Sequence, residues 1–167
     1  MTYEKSMEFL EYTNQYGSIL GLDSMKLLLK ELGNPEEQLK FVHIAGTNGK
    51  GSTATFIASM LAEAGYLVGR YISPSVFEYR EKIQVSGRRP NNQKKEITTE
   101  YISEMEVADG IRQIKVACEM MLSCGSPHPT TFEIETALAM LHFVQKGCDI
   151  VVLEVGLGGR LDATNVI

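Results

Sequence analysis

The residues best suited to chemistry lie in a glycine-rich segment, GTNGKGS, at positions 46–52. An apolar run, FVHIA, precedes this segment, and small and apolar residues at helical spacing follow it. Glycines let the backbone turn tightly, so that N–H groups can approach phosphate oxygens. The N-terminus of the following helix and the ammonium of Lys50 add positive charge. This strand–loop–helix context predicts a site that binds the phosphates of a nucleotide.

The spacing departs from the strict GxxxxGK[ST] pattern of phosphate-binding loops. Ile44 stands at the position of the first glycine, and Gly51 takes the place of the hydroxyl residue that directly follows the lysine. Hydroxyl groups arrive one and two positions later, at Ser52 and Thr53. A chance glycine-rich turn is the alternative interpretation, but the flanking strand and helix favour nucleotide binding.

A second group suited to chemistry is Glu154, the carboxylate that ends the apolar run DIVVLE. A continuous β-branched run is typical of a strand buried on both faces of a parallel sheet. In proteins with phosphate-binding loops, an acid at this place serves the magnesium ion. Because acids at strand ends are common, this interpretation depends on the phosphate loop and on the sequence VGLGGRLDATN that follows.

The elements that must position these groups alternate along the chain. Helical periodicity extends from the N-terminus to Gly17, from Asp23 to Gly33, through Val107–Met121, and through TFEIETALAMLHFVQK. Strands are predicted at LKFVHIA, YLVGRYIS, REKIQV and DIVVLEV, and a surface loop is predicted at positions 87–96. Strands that alternate with helices predict an α/β fold with three layers and a mostly parallel sheet.

Composition excludes several classes of protein. The 167 residues carry a net charge of −5 and are 44% hydrophobic, which fits one globular domain. The acidic balance argues against nucleic-acid binding, and no apolar run approaches the roughly 20 residues of a membrane helix. Without a secretory signal pattern, the expected compartment is the cytoplasm. The cysteines form no CxxC pair, and the histidines lack metal-ligand spacing.

GTNGKGS followed by EVGLGGRLDATNVI resembles the folylpolyglutamate synthase and dihydrofolate synthase family and, more distantly, the Mur ligases. The resemblance continues in order through GSILGL at positions 17–22, LGNPEEQLKFVHIAG, Ser73-Pro74 with REKIQV behind it, and TTFEIETALAMLHF. The first motif is shared across the ligase superfamily, whereas the Ser73-Pro74 segment and the GLGGRLDATN loop are specific to the folate branch. The family usually has SPH where this chain has Ser73-Pro74-Ser75, which puts the contribution of the third residue in doubt.

The resemblance implies an ATP-dependent ligase that joins L-glutamate to a carboxylate of folate or dihydropteroate through an acyl phosphate, with ATP as co-substrate and Mg²⁺ as cofactor. It implies a Mur-ligase-like fold in which residues 1–167 are the N-terminal part of the ATP-binding domain, incomplete at the C-terminus. The family's C-terminal glutamate-ligase domain is then absent, so we expect the chain alone to be inactive and the full-length protein to be a monomer. Two alternatives stay open: a Mur-type peptide ligase, and a short form that binds nucleotide without catalysis.

The resemblance also assigns roles to individual residues. Lys50 and Glu154 are implied in catalysis, and Ser73 and Glu154 as ligands of magnesium. The implied ATP-binding residues are Thr47, Asn48, Gly49, Lys50, Gly51, Ser52 and Thr53. The candidates for substrate contact are Arg80, Glu133, Arg160, Asp162 and Asn165.

Some of these candidates have a plainer interpretation. Arg80 belongs to an alternating charged segment of the kind that usually forms a solvated face. Glu133 lies in an apolar helix, where an unpaired carboxylate is costly, so we expect it to pair with a basic group or to serve the site. The basic run Arg88, Arg89, Lys94 and Lys95 is interpreted as a solvated loop.

Overall fold

The structure is a computed structural model that describes residues 1–17, 21–88 and 96–167. The helices are α1 (Tyr3–Thr13), α2 (Asp23–Glu31), α3 (Lys50–Glu63), α4 (Glu104–Ser123) and α5 (Thr131–Lys146). The strands are β1 (Phe41–Ile44), β2 (Val68–Tyr71), β3 (Ile83–Arg88), β4 (Ile97–Tyr101) and β5 (Ile150–Glu154). Short 3₁₀ turns occupy Asn14–Tyr16, Pro35–Gln38, Tyr79–Lys82 and Ala163–Val166.

The strands form one five-stranded sheet in the order β1-β5-β2-β3-β4. β5 lies between β1 and β2 and runs parallel to both. In this register Ile44 is opposite Glu154, and Tyr71 is opposite Leu153. The carboxyl ends of three parallel strands therefore meet at one edge of the sheet, which is where open α/β sheets bind their ligands.

Helices cover both faces of the sheet, which confirms the predicted three layers. On one face, α3 packs small residues (Ala54, Ala58 and Ala62) against Val68 and Val152. On the other face, α5 contacts β2 and β3 and is itself covered by α1, α2 and α4. This second face holds the larger hydrophobic cluster. The apolar residues distributed around α5 fit its position, because the helix is buried on several sides.

The sheet is mixed rather than uniformly parallel. β3 runs antiparallel to β2, and β4 runs antiparallel to β3. β4 was not predicted, since its residues ITTEY are half-buried or exposed and carry no apolar alternation. The predicted strand REKIQV begins with a 3₁₀ turn, and its regular pairing starts only at Ile83.

Parts of the sequence prediction lie outside the described residues. These are Ser18, Ile19 and Leu20 of the GSILGL motif, and Arg89, Lys94 and Lys95 of the basic loop. Within the described residues, no helix combines the length and the apolar character needed to cross a membrane.

Candidate active site

The loop that follows β1 reaches α3 through backbone conformations that favour glycine. Gly46 has a φ of 154° and Gly49 a φ of 76°, both in the region that side chains with a Cβ rarely adopt. Gly49 is the N-cap of α3, and no side chain caps this helix among the described residues. The first N–H groups of an α-helix have no partner within the helix, so they are available to an anion.

The residues of this loop are accessible from solvent. Thr47, Asn48, Gly49, Ser52 and Thr53 are exposed, while Lys50 and Gly51 are half-buried. Lys50 is the first residue of α3, where the positive end of the helix dipole adds to its own charge. The loop can therefore surround an anionic group with backbone donors, hydroxyls and one cation.

Sheet register brings Lys50, Ser73 and Glu154 together at the carboxyl edge. The Glu154 carboxylate is 5% exposed, and its Oε1 lies 3.9 Å from Lys50 Nζ. Its Oε2 accepts a hydrogen bond of 3.2 Å from the backbone N–H of Ser73, which follows β2. A Cβ on Gly51 would lie 3.7 Å from Oε2. The start of α3 thus lies directly beside the carboxylate.

The donor set at Glu154 suits a hard cation. One backbone hydrogen bond and one long ion pair leave lone pairs of the carboxylate available. Among the described residues, no group of three or more His, Cys, Asp and Glu side chains could hold a metal ion. A metal at this site would therefore need oxygen ligands from Glu154, from a hydroxyl such as that of Ser73, from phosphate and from water, which is the set that Mg²⁺ prefers.

The glycine-rich segment after β5 is held in shape by Asp162. Its Oδ2 accepts a hydrogen bond of 2.6 Å from the N–H of Leu157. Its Oδ1 accepts from the N–H and the hydroxyl of Thr164, at 3.0 Å and 2.5 Å. Thr164 Oγ1 also lies 2.8 Å from Nε2 of His43 on β1. Burial lowers the pKa of His43, and the nearby Asp162 opposes that shift.

Two further residues of this segment, Arg160 and Asn165, are both exposed, but they make different contacts. Asn165 Nδ2 donates a 3.0 Å hydrogen bond to the carbonyl of Arg160, which ties the two ends of the turn together. The Arg160 residue itself is exposed. Asn165 therefore supports the turn, whereas Arg160 offers a cation to solvent.

Glu133 has a partner other than the basic group that was expected. Its Oε2 accepts hydrogen bonds from the N–H and the hydroxyl of Thr130, at 2.7 Å and 2.9 Å. The Thr130 hydroxyl in turn accepts from the N–H of Glu133 at 3.3 Å, which completes a capping box at the start of α5. Expecting a basic partner was wrong, although the sequence carries the signal: a threonine followed three residues later by glutamate.

Two charged residues in the segment after Ser73, Arg80 and Glu81, have different surroundings. Arg80 forms an ion pair of 2.9 Å with Glu78. Glu81 is buried and accepts hydrogen bonds from the backbone N–H groups of Val76 and Phe77. Glu81 therefore shapes the turn after β2, and Arg80 contacts neither Lys50 nor Glu154 among the hydrogen bonds and ion pairs of the described residues.

A cavity of about 360 Å³ opens beside the carboxyl edge of the sheet. The side chains that matter for its chemistry are Ser73, Lys82, Phe132, Glu135, Leu157 and Asp162. Phe132 packs so closely against Gly156 that a Cβ there would lie 2.5 Å from the ring. Phe132 and Glu135 were not predicted as site residues, and Lys82 was interpreted, like Arg80, as part of a solvated face. Nothing in the local sequence shows that Lys82 and Glu135, 53 residues apart, meet here.

No protein-family model matches the chain, but individual proteins and solved structures are similar to it. It is 40% identical over 166 residues to the dihydrofolate synthase/folylpolyglutamate synthase of Bacillus subtilis, covering 99% of this chain and 36% of the relative. The crystal structure of folylpolyglutamate synthase from Thermotoga maritima superimposes with a TM-score of 0.81 at 40% identity, over 99% of this chain and 36% of that one. An FPGS–AMPPCP–folate complex gives a TM-score of 0.82 at 32% identity, over 100% and 38%. The chain thus spans little more than a third of the length of these proteins.

Proposed function

Because the chain belongs to the folylpolyglutamate synthase/dihydrofolate synthase family, we propose that it supplies the nucleotide-phosphate site of an ATP-dependent ligase. The proposed reaction joins L-glutamate to a carboxylate of a folate or dihydropteroate. The observation that carries the proposal is the meeting of Lys50, Ser73 and Glu154 at the open glycine loop. The relative solved with AMPPCP and folate supports the choice of ligands.

In this proposal the phosphates of ATP lie over the start of α3. The loop residues Thr47, Asn48, Gly49, Gly51, Ser52 and Thr53 surround them with backbone donors and hydroxyls. Lys50 neutralises negative charge that would otherwise repel the incoming carboxylate. The left-handed conformation of Gly49 lets the backbone make this turn beside the phosphates.

Magnesium would be held by Glu154 and the hydroxyl of Ser73, together with phosphate oxygens and water. The buried carboxylate with unused lone pairs supports this assignment. When bound, the ion supplies positive charge at the transferred phosphoryl group. The Ser73 N–H holds the carboxylate in place by its hydrogen bond, so that the ligand is oriented before the nucleotide arrives.

The acceptor is proposed to occupy the cavity that starts at Ser73 and passes Phe132. Asp162 and Asn165 act on it indirectly by holding the loop after β5, and Glu133 acts by holding the start of α5. Arg160 is exposed on that loop and can attract an anionic acceptor. Arg80, which pairs with Glu78, has no part in this proposal.

The proposed reaction has two chemical steps. A carboxylate oxygen of the acceptor attacks the γ-phosphorus of ATP, and the bond from that phosphorus to the bridging oxygen breaks, which releases ADP and leaves an acyl phosphate. The amino group of L-glutamate then attacks the acyl carbon, loses a proton, and displaces inorganic phosphate to form the amide. The chain's residues contribute by holding two anions in contact and by neutralising the charge between them.

The chain spans little more than a third of the length of its relatives. In this proposal, turnover also needs the parts of the ligase that correspond to the rest of that length. We therefore expect the 167-residue chain to bind nucleotide without forming product. A cytoplasmic location is part of the proposal and fits three free cysteines, two of them buried.

Calorimetric titration with AMPPCP and magnesium tests the phosphate site directly. We expect saturable binding by the chain and an affinity at least about tenfold weaker in Lys50→Ala. When the chain is joined to the remaining portion of a ligase of this family, ADP release should require both L-glutamate and a pterin acceptor. ADP release that needs neither, or the absence of AMPPCP binding, would contradict the proposal.

A further inference from the structure

Arg70 lies on β2, and its guanidinium contacts both a helix and the neighbouring strand. In the sheet register Arg70 is opposite Val152 of β5, so its side chain lies on the face that α3 covers. Its Nη1 donates a hydrogen bond to the hydroxyl of Thr55 on α3. Its Nη2 donates a hydrogen bond of 2.5 Å to Oε1 of Gln84 on β3. The proposed reaction gives this arginine no role.

The contact with Thr55 leads to the phosphate loop. The Thr55 hydroxyl, which accepts from Arg70, itself donates a hydrogen bond of 2.8 Å to the carbonyl of Gly51. Gly51 lies in the first turn of α3, directly after Lys50, where the N–H groups are available to phosphate. One side chain therefore joins the guanidinium to the anion-binding end of the helix.

The other contact of the guanidinium leads to the segment that carries Ser73. Gln84 is 4% exposed, and its Nε2 donates a hydrogen bond of 2.8 Å to the carbonyl of Glu81. The Glu81 carboxylate accepts hydrogen bonds from the N–H groups of Val76 and Phe77. These hydrogen bonds hold the turn that follows Ser73, so the guanidinium is also joined to this turn.

Packing alone gives little reason for an arginine at this position. The side chain is half-buried, and neither of its two partners carries a charge. Burial lowers the pKa of Arg70, and the nearby Tyr101 and Glu154 oppose that shift. Removing a charge from water costs free energy that hydrogen bonds to neutral groups offset only in part, whereas an apolar side chain between α3 and the sheet would have no such cost.

We infer that Arg70 is a positioning residue that fixes the phosphate loop and the Ser73 segment relative to each other. The inference rests on the proposed function for its ligand, a nucleoside triphosphate with magnesium. In that proposal Lys50 and Ser73 contact the same phosphate–metal unit from two separate segments. The planar guanidinium has its donors in a fixed fork, so one side chain can hold both segments at one separation before the ligand binds.

Breaking the two connections one at a time tests the inference in calorimetric titrations with AMPPCP. Thr55→Val removes the hydroxyl that joins Arg70 to Gly51, with little change in side-chain size. We expect the affinity for AMPPCP to fall at least about fivefold, both with magnesium and without it, because the start of α3 contacts phosphate in both cases. Gln84→Met breaks the other connection, and we expect a fall of that size only with magnesium, because Ser73 acts through the ion.

Two further variants of α3 serve as controls. Thr55→Ser keeps the hydroxyl and should restore the affinity of the unmodified chain. Ser59→Ala removes an exposed hydroxyl that donates to a backbone carbonyl of the same helix, and it should leave the affinity unchanged. Equal affinities of Thr55→Val and the unmodified chain, or equal losses in Thr55→Val and Ser59→Ala, would overturn the inference. Thr55 is exposed, so this comparison decides even if the buried Gln84→Met does not fold.

Amide hydrogen exchange of the chain without ligand tests the connection independently of nucleotide. Arg70→Met removes both hydrogen bonds but keeps a long side chain. We expect the amides of Val76 and Phe77 to exchange at least about fivefold faster in this variant, because Gln84 loses its partner. Unchanged exchange of amides at the centre of α4 would show that the fold persists. Unchanged rates at Val76 and Phe77 would overturn the inference.

The two proposals fail separately. AMPPCP binding by the unmodified chain reports on the nucleotide site, whereas the differences among the variants report on Arg70. AMPPCP binding that Arg70→Met does not weaken overturns the inference and leaves the phosphate site standing. Faster exchange at Val76 and Phe77 in a chain that does not bind AMPPCP supports the connection made by Arg70 and contradicts the proposed nucleotide site.

Discussion

The ammonium of Lys50 lies 3.9 Å from the buried carboxylate of Glu154, at the edge where three parallel strands end. This separation is at the outer limit of an ion pair, so the lysine lies near the carboxylate but interacts with it only weakly. A phosphate entering over the start of α3 can therefore draw the ammonium toward itself, while the Ser73 N–H keeps the carboxylate in place.

Lys50→Ala should weaken AMPPCP binding at least about tenfold, because one charge-assisted contact to phosphate is lost. The fold should persist, since Lys50 lies at the start of a helix whose apolar face is unaffected. Calorimetry measures the affinity and circular dichroism the fold. Lys115→Ala is the matched control, because it removes the same charge from an exposed position of α4. Equal affinity in the two variants would contradict the role of Lys50.

Glu154→Gln should remove most of the gain in AMPPCP affinity that magnesium provides. The amide has the same size and its oxygen can still accept from the Ser73 N–H, but it is a much weaker ligand for Mg²⁺ than a carboxylate. The ratio of affinities with and without magnesium is the measured quantity. We expect that ratio to fall at least about tenfold. A variant with the ratio of the unmodified chain would show that the ion binds elsewhere.

Gly69→Ala should destabilise the chain by about 2 kcal/mol, as expected for overpacking in a core. A Cβ at this position of β2 would lie 2.6 Å from the ring of Phe143, which is fully buried on α5. Urea unfolding measures the change in the free energy of unfolding. Phe143→Leu should cost less in the Gly69→Ala background than alone, because the smaller side chain relieves the clash. Additive effects would contradict this account.

Stability should fall on acidification in two ranges of pH. Burial lowers the pKa of His142 to about 4 against the opposing charge of Glu106. For Glu106, burial is outweighed by hydrogen bonds from Lys146 and Ser103, which lower its pKa to about 2. Both groups bind protons more readily in the unfolded chain. Their contributions are therefore complete above about pH 6.5 and 4.5 respectively, and they are lost as pH falls through about 4 and 2.

Urea unfolding at a series of pH values measures these contributions. Glu106→Gln should reduce the pH dependence of the free energy of unfolding below pH 4.5, where Glu106 contributes up to about 3 kcal/mol. His142→Gln should flatten it between pH 6.5 and 4. A pH profile that neither substitution changes would mean that other groups govern acid unfolding.

Local sequence determined the parts of this protein that depend on neighbours along the chain. The turn at Gly46 and Gly49 could be predicted from the sequence because positive φ angles favour glycine wherever they occur. The buried strand that ends at Glu154 could be predicted in the same way, because a β-branched run is typical of a strand covered on both faces. The capping box of Thr130 and Glu133 was equally local, and it was missed because Glu133 was considered as a buried charge rather than as a helix start.

Tertiary structure alone decided which of these pieces meet. An apolar strand pattern specifies the faces that are buried but not the neighbours, so the order β1-β5-β2 and the antiparallel addition of β3 and β4 could not be derived from it. That order sets the contact of Glu154 with Ser73 and Lys50. The ion pair of Lys82 with Glu135 has the same origin. Neither segment has a sequence that indicates the contact, and the two side chains meet only because packing brings the segments together.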